Sequence, residues 1–247
     1  MTPEFVERYA RHLVLKEIGG PGQKALLRAK IAIVGAGGLG GPAGFYLAAA
    51  GAGSITLIDD DHVETSNLQR QIQFEQADIG RSKAQVMAER LMRLNPDITA
   101  RAVTERLTPG NAKALLRGHD IIIDGVDSFA ARFAINDGCL ALGLPLISGA
   151  LGRWSGQVSA YSGQAGGPCY CCFVPSEPPD AQTCEAVGVV GAMAGIIGSV
   201  MALEAVKLIT GAGDNLFGRV WIYDGLRAVP RTITLPQDPE CPACAGH

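Results

Sequence analysis

Four stretches of the sequence carry residue types and spacings that could do chemistry. The first is Lys30-Ile-Ala-Ile-Val-Gly-Ala-Gly-Gly-Leu-Gly40, in which Gly35, Gly37 and Gly40 give a G-x-G-x-x-G spacing. Glycines so placed allow a tight turn and admit a phosphate close to the backbone. The helix that follows then offers its free N–H groups to the anion. A second β-branched run, Ile55 to Ile58, ends in Asp59-Asp60-Asp61. Asp59 stands where such a unit places an acid to accept bonds from ribose hydroxyls. The pattern predicts a bound nucleotide, and by itself its first reading is NAD.

The second stretch is Glu64-Thr-Ser-Asn-Leu-Gln-Arg-Gln71, a polar loop leaving the end of that second strand. Arg70 could meet a phosphate there, or be an exposed loop charge. Gly80-Arg-Ser-Lys83 then opens a helix, and a lysine in a first helical turn opposes the dipole unless an anion is near. The third is Asp124-Gly-Val-Asp-Ser128, at the end of a wholly apolar strand. Asp127 falls at the same sheet edge as the glycine cluster, where a carboxylate can hold Mg²⁺ or fix a leaving group. Asp127 and Ser128 equally suit a helix N-cap.

The fourth pairs Cys169-Tyr-Cys-Cys172 with Cys241-Pro-Ala-Cys244. Two C-x-x-C pairs supply four thiolates, which suits a closed, structural tetrahedral Zn²⁺ site that pins the tail to the domain. Cys171 is a spare thiol inside this knuckle. Cys184 ends the proline-rich segment 175–184, before a glycine-rich helix. A thiol near a helix N-terminus is a candidate nucleophile, and a buried small residue is the other reading.

The elements that must position these groups alternate along the chain. Residues 3–28 read as helical, with Phe5, Tyr9 and Leu13 on one apolar face and Arg8 and Arg11 off it as solvated charges. Gly19-Gly-Pro-Gly22 is expected to break that pattern before a second short helix. Strands are expected at 31–34, 55–59, 98–103, 121–124 and 145–148, with helices at 83–94, 108–117 and 128–142 among the segments between them. This is an α/β fold, a Rossmann-like doubly wound and mostly parallel sheet. Strands at 157–161, 220–223 and 231–234 would add an antiparallel C-terminal extension beside the zinc knuckle. One domain over 1–247 is expected, with an N-terminal helical segment 1–28, a crossover loop 169–187 and the C-terminal pair 241–244.

Net charge is −3 and no run of five basic residues occurs, so nucleic acid is not an expected partner. Residues 186–203 are free of charge for about the length of a membrane span. They are largely Gly and Ala and run on into Glu204 and Lys207. A buried helix packed backbone-close through Gly191-x-x-x-Gly195 is expected instead of a membrane segment. The first residues carry acids and no apolar signal core, so a cytoplasmic location is expected.

Taken in order, Arg8-Tyr-Ala-Arg11, Gly-Ala-Gly-Gly-Leu-Gly40, Asn67-Leu-Gln-Arg-Gln71, Lys83, Asp124-x-x-Asp127 and the two C-x-x-C pairs resemble the MoeB/ThiF/HesA family over nearly the whole chain. These are ubiquitin-activating-enzyme-like adenylyltransferases. The resemblance implies that MgATP adenylates the C-terminal Gly-Gly carboxylate of a ubiquitin-like sulfur carrier for molybdopterin or thiamine biosynthesis. It places the backbone around Gly38 and the side chain of Asn67 on phosphates, Asp59 on ribose, and Arg70 and Lys83 on the β/γ-phosphates. Ser66, Gln69 and Ser128 count with these as nucleotide-binding positions. Asp127 would hold Mg²⁺, and Arg11 would reach in from the partner subunit of a homodimer. Cys184 matches a crossover cysteine that some members use for sulfur or thioester chemistry, with a persulfide sulfurtransferase as a further partner. Ser128 replaces the family's frequent Asn, and Cys171 is an added thiol.

The physics of the reaction agrees with this resemblance. A carboxylate attacking an α-phosphate meets like charge, and pyrophosphate must leave neutralised, so cations aimed at those oxygens are the main catalytic need. An NAD(P)-dependent oxidoreductase would have no use for Arg70, Lys83 and Asp127 at one edge. That activity and a non-catalytic nucleotide-binding scaffold are the alternatives.

Overall fold

The computed structural model describes residues 2–179 and 188–245. Two helices, α1 (Pro3–Leu13) and α2 (Gly19–Arg28), precede strand β1 (Lys30–Val34), whose last four residues are buried. The Gly19–Gly22 cluster does not precede the second helix as expected; it opens it. Proline is tolerated in a first turn, where its missing N–H has no partner to lose.

Helix α3 (Gly40–Ala50), strand β2 (Ser54–Ile58), helix α4 (Lys83–Leu94) and strand β3 (Thr99–Val103) follow. Then come α5 (Ala112–Leu116), β4 (Ile121–Asp124), α6 (Phe129–Leu142), β5 (Leu146–Leu151) and β6 (Ser155–Tyr161). Helix α5 is shorter than the 108–117 expected, because Thr108 to Asn111 form a turn closed by the Asn111 side chain on the Thr108 N–H. The chain ends with α7 (Tyr170–Phe173), α8 (Gly191–Thr210), β7 (Arg219–Asp224) and β8 (Val229–Thr234).

All eight strands join one sheet in the order β3-β2-β1-β4-β5-β6-β7-β8. Pairings from β3 to β5 are parallel, and those from β5 to β8 are antiparallel. Successive strands run from β1 outward one way and from β4 outward the other, so the switch point lies between β1 and β4. A crevice opens beyond the carboxyl ends of strands at such a point. The register fixes what meets there: Val34 stands opposite both Ile58 and Asp124. Gly35, Asp59 and Gly125 therefore emerge side by side.

Both faces of the parallel part of the sheet are covered. Ile33, Ile55, Leu57, Ile123 and Ile147 pack with Leu47, Met87, Leu91, Ile197 and Met201 from α3, α4 and α8. Ala32, Val34, Ile58 and Ile122 pack on the other face with Leu116, Ile135 and Tyr170 from α5, α6 and α7. A fully buried Ile contributes about 1.5–3 kcal/mol, so these apolar runs hold the switch-point edge in place.

Helix α8 is long and apolar enough to cross a membrane, and 44% of its apolar window is buried within the fold. It packs on α3, β5 and β6, as expected of a core helix. The close contacts are at Gly191 and Gly198, where a Cβ would stand 2.3 Å from the Gln69 carbonyl and 2.6 Å from the Leu39 carbonyl. Gly195, named in the expected motif, meets nothing within 4 Å. Residues seven apart share a helix face more closely than residues four apart.

Candidate nucleotide and metal sites

The glycine turn leaves β1 at Gly35, which has φ +87°, a conformation that only glycine adopts without strain. A Cβ on Gly35 would also meet the Gly125 carbonyl at 2.8 Å, so the turn and the Asp124–Ser128 loop are in direct contact. The N–H groups of Gly37 and Gly38 take no hydrogen bond among the described residues. Asp59 accepts from the Ala36 N–H at 2.7 Å and the Asp61 N–H at 2.8 Å. Burial raises the Asp59 carboxyl above its ordinary pKa, against the opposing pull of those two donors and of Lys83.

Lys83 opens α4 under the Ser82 N-cap, and its Nζ lies 3.0 Å from Asp61 Oδ2. The anion that its place on the helix calls for is thus the acidic end of β2. Arg70 donates to the Ser66 carbonyl at 2.9 Å, and its side chain lies beside the space above Gly38. Asn67 is buried and receives the Glu64 N–H, fixing the short turn that carries Ser66. Gln69 reaches the Val189 carbonyl, just before α8.

Asp127 is exposed and has no hydrogen-bond or ion-pair partner among the described residues, which leaves its carboxylate free at the crevice. The Ser128 hydroxyl accepts the Ala131 N–H, so Ser128 serves as the N-cap of α6. The loop between β4 and α6 is held from beneath. Buried Arg132 donates to Asp124 Oδ2, Ser148 Oγ and the Val126 carbonyl, while Ser148 donates to Asp124 at 2.6 Å. This support was missed in the sequence. Arg132 lies four residues into a helix, where an arginine reads as surface charge.

Arg11 is not brought to this edge. Helix α1 is anchored by Tyr9, whose hydroxyl meets Asn95 at 2.8 Å and Asp97 at 3.4 Å, both just before β3. Arg8 pairs with the same Asp97 at 3.3 Å. These contacts hold α1 at the amino ends of the strands, one strand length of about 16 Å from the crevice. Cys184 lies outside the described residues.

The two C-x-x-C pairs converge alongside α6, against Phe133 and Leu140. The four thiols lie within 4.8 Å of one another, with Sγ–Sγ distances of 3.6 Å for Cys169–Cys241 and 3.4 Å for Cys172–Cys244. A tetrahedron with Zn–S near 2.3 Å has S–S separations of about 3.8 Å, so the donor set fits zinc. The Cys172 sulfur accepts the N–H groups of Cys169 and Asp238, both at 3.4 Å. Cys171 is buried beside the four, bonded by the Asn136 amide at 3.5 Å and next to the Cys169 thiol. The Cys171 thiol and burial together push the Cys169 thiol up, and burial raises Cys244. A bound dication would be needed to hold these groups as thiolates.

Residues 9–243 match the ThiF family. The chain is 41% identical to the sulfur carrier protein adenylyltransferase of Thermus thermophilus, over 100% of this chain and 93% of that protein. It is 39% identical to the SAMP-activating enzyme E1 of Haloferax volcanii, over 97% of this chain and 88% of the other. With the probable adenylyltransferase/sulfurtransferase MoeZ of Mycobacterium tuberculosis the identity is 43% over 98% of this chain, which spans 63% of MoeZ. Among solved structures, E. coli MccB with ATP superposes with a TM-score of 0.85 at 22% identity, covering 97% of this chain and 75% of MccB. On the family match and these identities, the chain belongs to the ThiF family.

Proposed function

We propose that this protein is an ATP-dependent adenylyltransferase that activates the C-terminal glycine carboxylate of a ubiquitin-like sulfur carrier as an acyl-adenylate, for molybdopterin or thiamine biosynthesis. The observation that carries the reading is the strand register. It sets the glycine turn, Asp59 and the Asp127 loop at one level of the switch-point crevice, with Arg70 and Lys83 beside them. The relatives' names agree with it.

In this reading the unpaired Gly37 and Gly38 N–H groups receive a phosphate, and Asp59 receives the ribose hydroxyls. The carrier carboxylate attacks the α-phosphorus and displaces pyrophosphate. Arg70 and Lys83 neutralise the charge that builds on the leaving oxygens. Asp127, free of other partners, is the residue that would hold Mg²⁺, which when bound supplies further neutralisation. Cys169, Cys172, Cys241 and Cys244 hold a structural Zn²⁺. The chain acts as one adenylation domain in a homodimer whose second subunit contributes Arg11, in the cytoplasm. Cys184 serves a later sulfur-transfer step, with a persulfide sulfurtransferase as a partner.

Isothermal titration calorimetry separates this reading from a dehydrogenase. MgATP should bind with release of heat, and NAD should give no saturable signal. Saturable NAD binding with no response to MgATP would overturn the assignment.

A further inference from the structure

The glycine turn is held from behind by a side chain far away in sequence. Gln73 is 3% exposed, and its Nε2 donates to the carbonyls of both Ala36 and Gly37 at 2.8 Å. We propose that Gln73 is a positioning residue for the nucleotide phosphates: its buried amide sets the peptides of the turn so that two successive N–H groups face the anion. This inference rests on the adenylyl-transfer reading of the same edge.

The argument follows from peptide geometry. In a planar trans peptide, the carbonyl of one residue and the N–H of the next point in opposite directions. Ala36 C=O shares its peptide with Gly37 N–H, and Gly37 C=O with Gly38 N–H. Drawing both carbonyls inward, to Gln73 and for Gly37 also to the Gly41 N–H at 2.9 Å, therefore turns both N–H groups outward. Neither takes a hydrogen bond among the described residues. Successive outward N–H groups form an anion-binding concavity.

The amide orientation is fixed by its surroundings. Exchanging Nε2 and Oε1 would set one oxygen against two carbonyl oxygens, so the donor must face the turn. Oε1 is then buried with no partner. An unpaired buried acceptor is unfavourable, and here it accompanies the double donation to the turn. Two features hold this residue, one at its backbone and one at its side chain. Arg90, itself held by Glu75 at 2.7 Å and Asp78, donates to the backbone carbonyl of Gln73. At Gly41 a Cβ would stand 2.3 Å from the Gln73 amide, so glycine there leaves its room.

Calorimetry with MgATP and with adenosine tests the role, because adenosine has no phosphate for the turn to bind. Gln73→Leu keeps comparable side-chain bulk, one atom shorter, and removes both donors. Two neutral hydrogen bonds together correspond to about a tenfold change in affinity. Gln73→Leu should weaken MgATP about tenfold and leave adenosine binding and melting temperature near wild type. Gln73→Glu can donate only while protonated, so its MgATP affinity should fall with rising pH in a step that the wild type lacks. Unchanged MgATP affinity in Gln73→Leu, or equal losses for MgATP and adenosine, would overturn the proposal. If Gln73→Leu does not fold, a Gln73→Glu profile parallel to wild type overturns it instead. Failure of wild-type protein to bind MgATP would instead remove the adenylyl-transfer reading beneath it.

Discussion

Lys83 Nζ lies 3.0 Å from Asp61 Oδ2, and the two partners differ in exposure: the lysine side chain is 8% exposed and the aspartate 59%. An ion pair with one arm in water contributes little to stability, so Asp61 can yield the lysine to an arriving phosphate. Lys83→Met should lower adenylyl transfer by roughly a hundred- to a thousandfold, the usual effect of removing one charge-stabilising contact. Asp61→Asn, which removes a competitor and a repelling charge, should tighten MgATP binding a few-fold. Weaker binding in Asp61→Asn would mean that the pair aims the lysine and does not compete for it.

The thiol cluster joins the segment after β6 to the tail after β8, so metal binding there is also folding energy. Protein purified without chelator should contain one zinc per chain. Cys241→Ser should lose the metal and melt roughly 5–10 °C lower, as expected for a loss of a few kcal/mol in a chain of this size. A metal-free protein whose melting is unaffected by the substitution would remove zinc from the account. Cys171→Ser should keep one zinc per chain, since that thiol is bonded by Asn136 and stands outside the set of four clustered thiols.

Arg11 projects from a helix fixed at the amino ends of the strands, whereas Asp127 stands at the carboxyl ends. One chain cannot bring the two together, but a two-fold dimer can do so in both of its sites. Homodimers of Arg11→Ala and of Asp127→Ala should each be nearly inactive. An equal, re-equilibrated mixture should regain about a quarter of wild-type activity, because half the dimers are mixed and carry one intact site. Tagged co-purification would establish that subunits exchange. If mixed dimers form and activity stays at background, Arg11 does not act across the dimer.

Much of the fold was legible because the periodic signals were strong. Ile31 to Val34, running into Gly35, and Ile121 to Ile123, between Asp120 and Asp124, are short apolar runs, and both form central parallel strands. The two C-x-x-C pairs announced their meeting although 72 residues separate Cys169 from Cys241. What stayed hidden depends on tertiary approach. Nothing around Gln73 marks it as the support of carbonyls 36 and 37 residues away. Arg132 reads as a surface charge until β5 brings Ser148 beneath it. The Gly19–Gly22 cluster opens α2 instead of preceding it for a local reason: glycine and proline usually interrupt a helix, yet in a first turn they cost little.

The central claim is that the switch-point crevice joins a carrier carboxylate to the α-phosphate of ATP. Incorporation of labelled pyrophosphate into ATP measures that step in reverse. With Mg²⁺ and a carrier ending in Gly-Gly, wild-type protein should exchange label rapidly, and a carrier lacking its terminal glycine should support none. Asp127→Ala, with its fold intact, should exchange roughly a hundred- to a thousandfold more slowly. Wild-type protein that binds MgATP and a matched carrier yet exchanges no pyrophosphate would contradict the account.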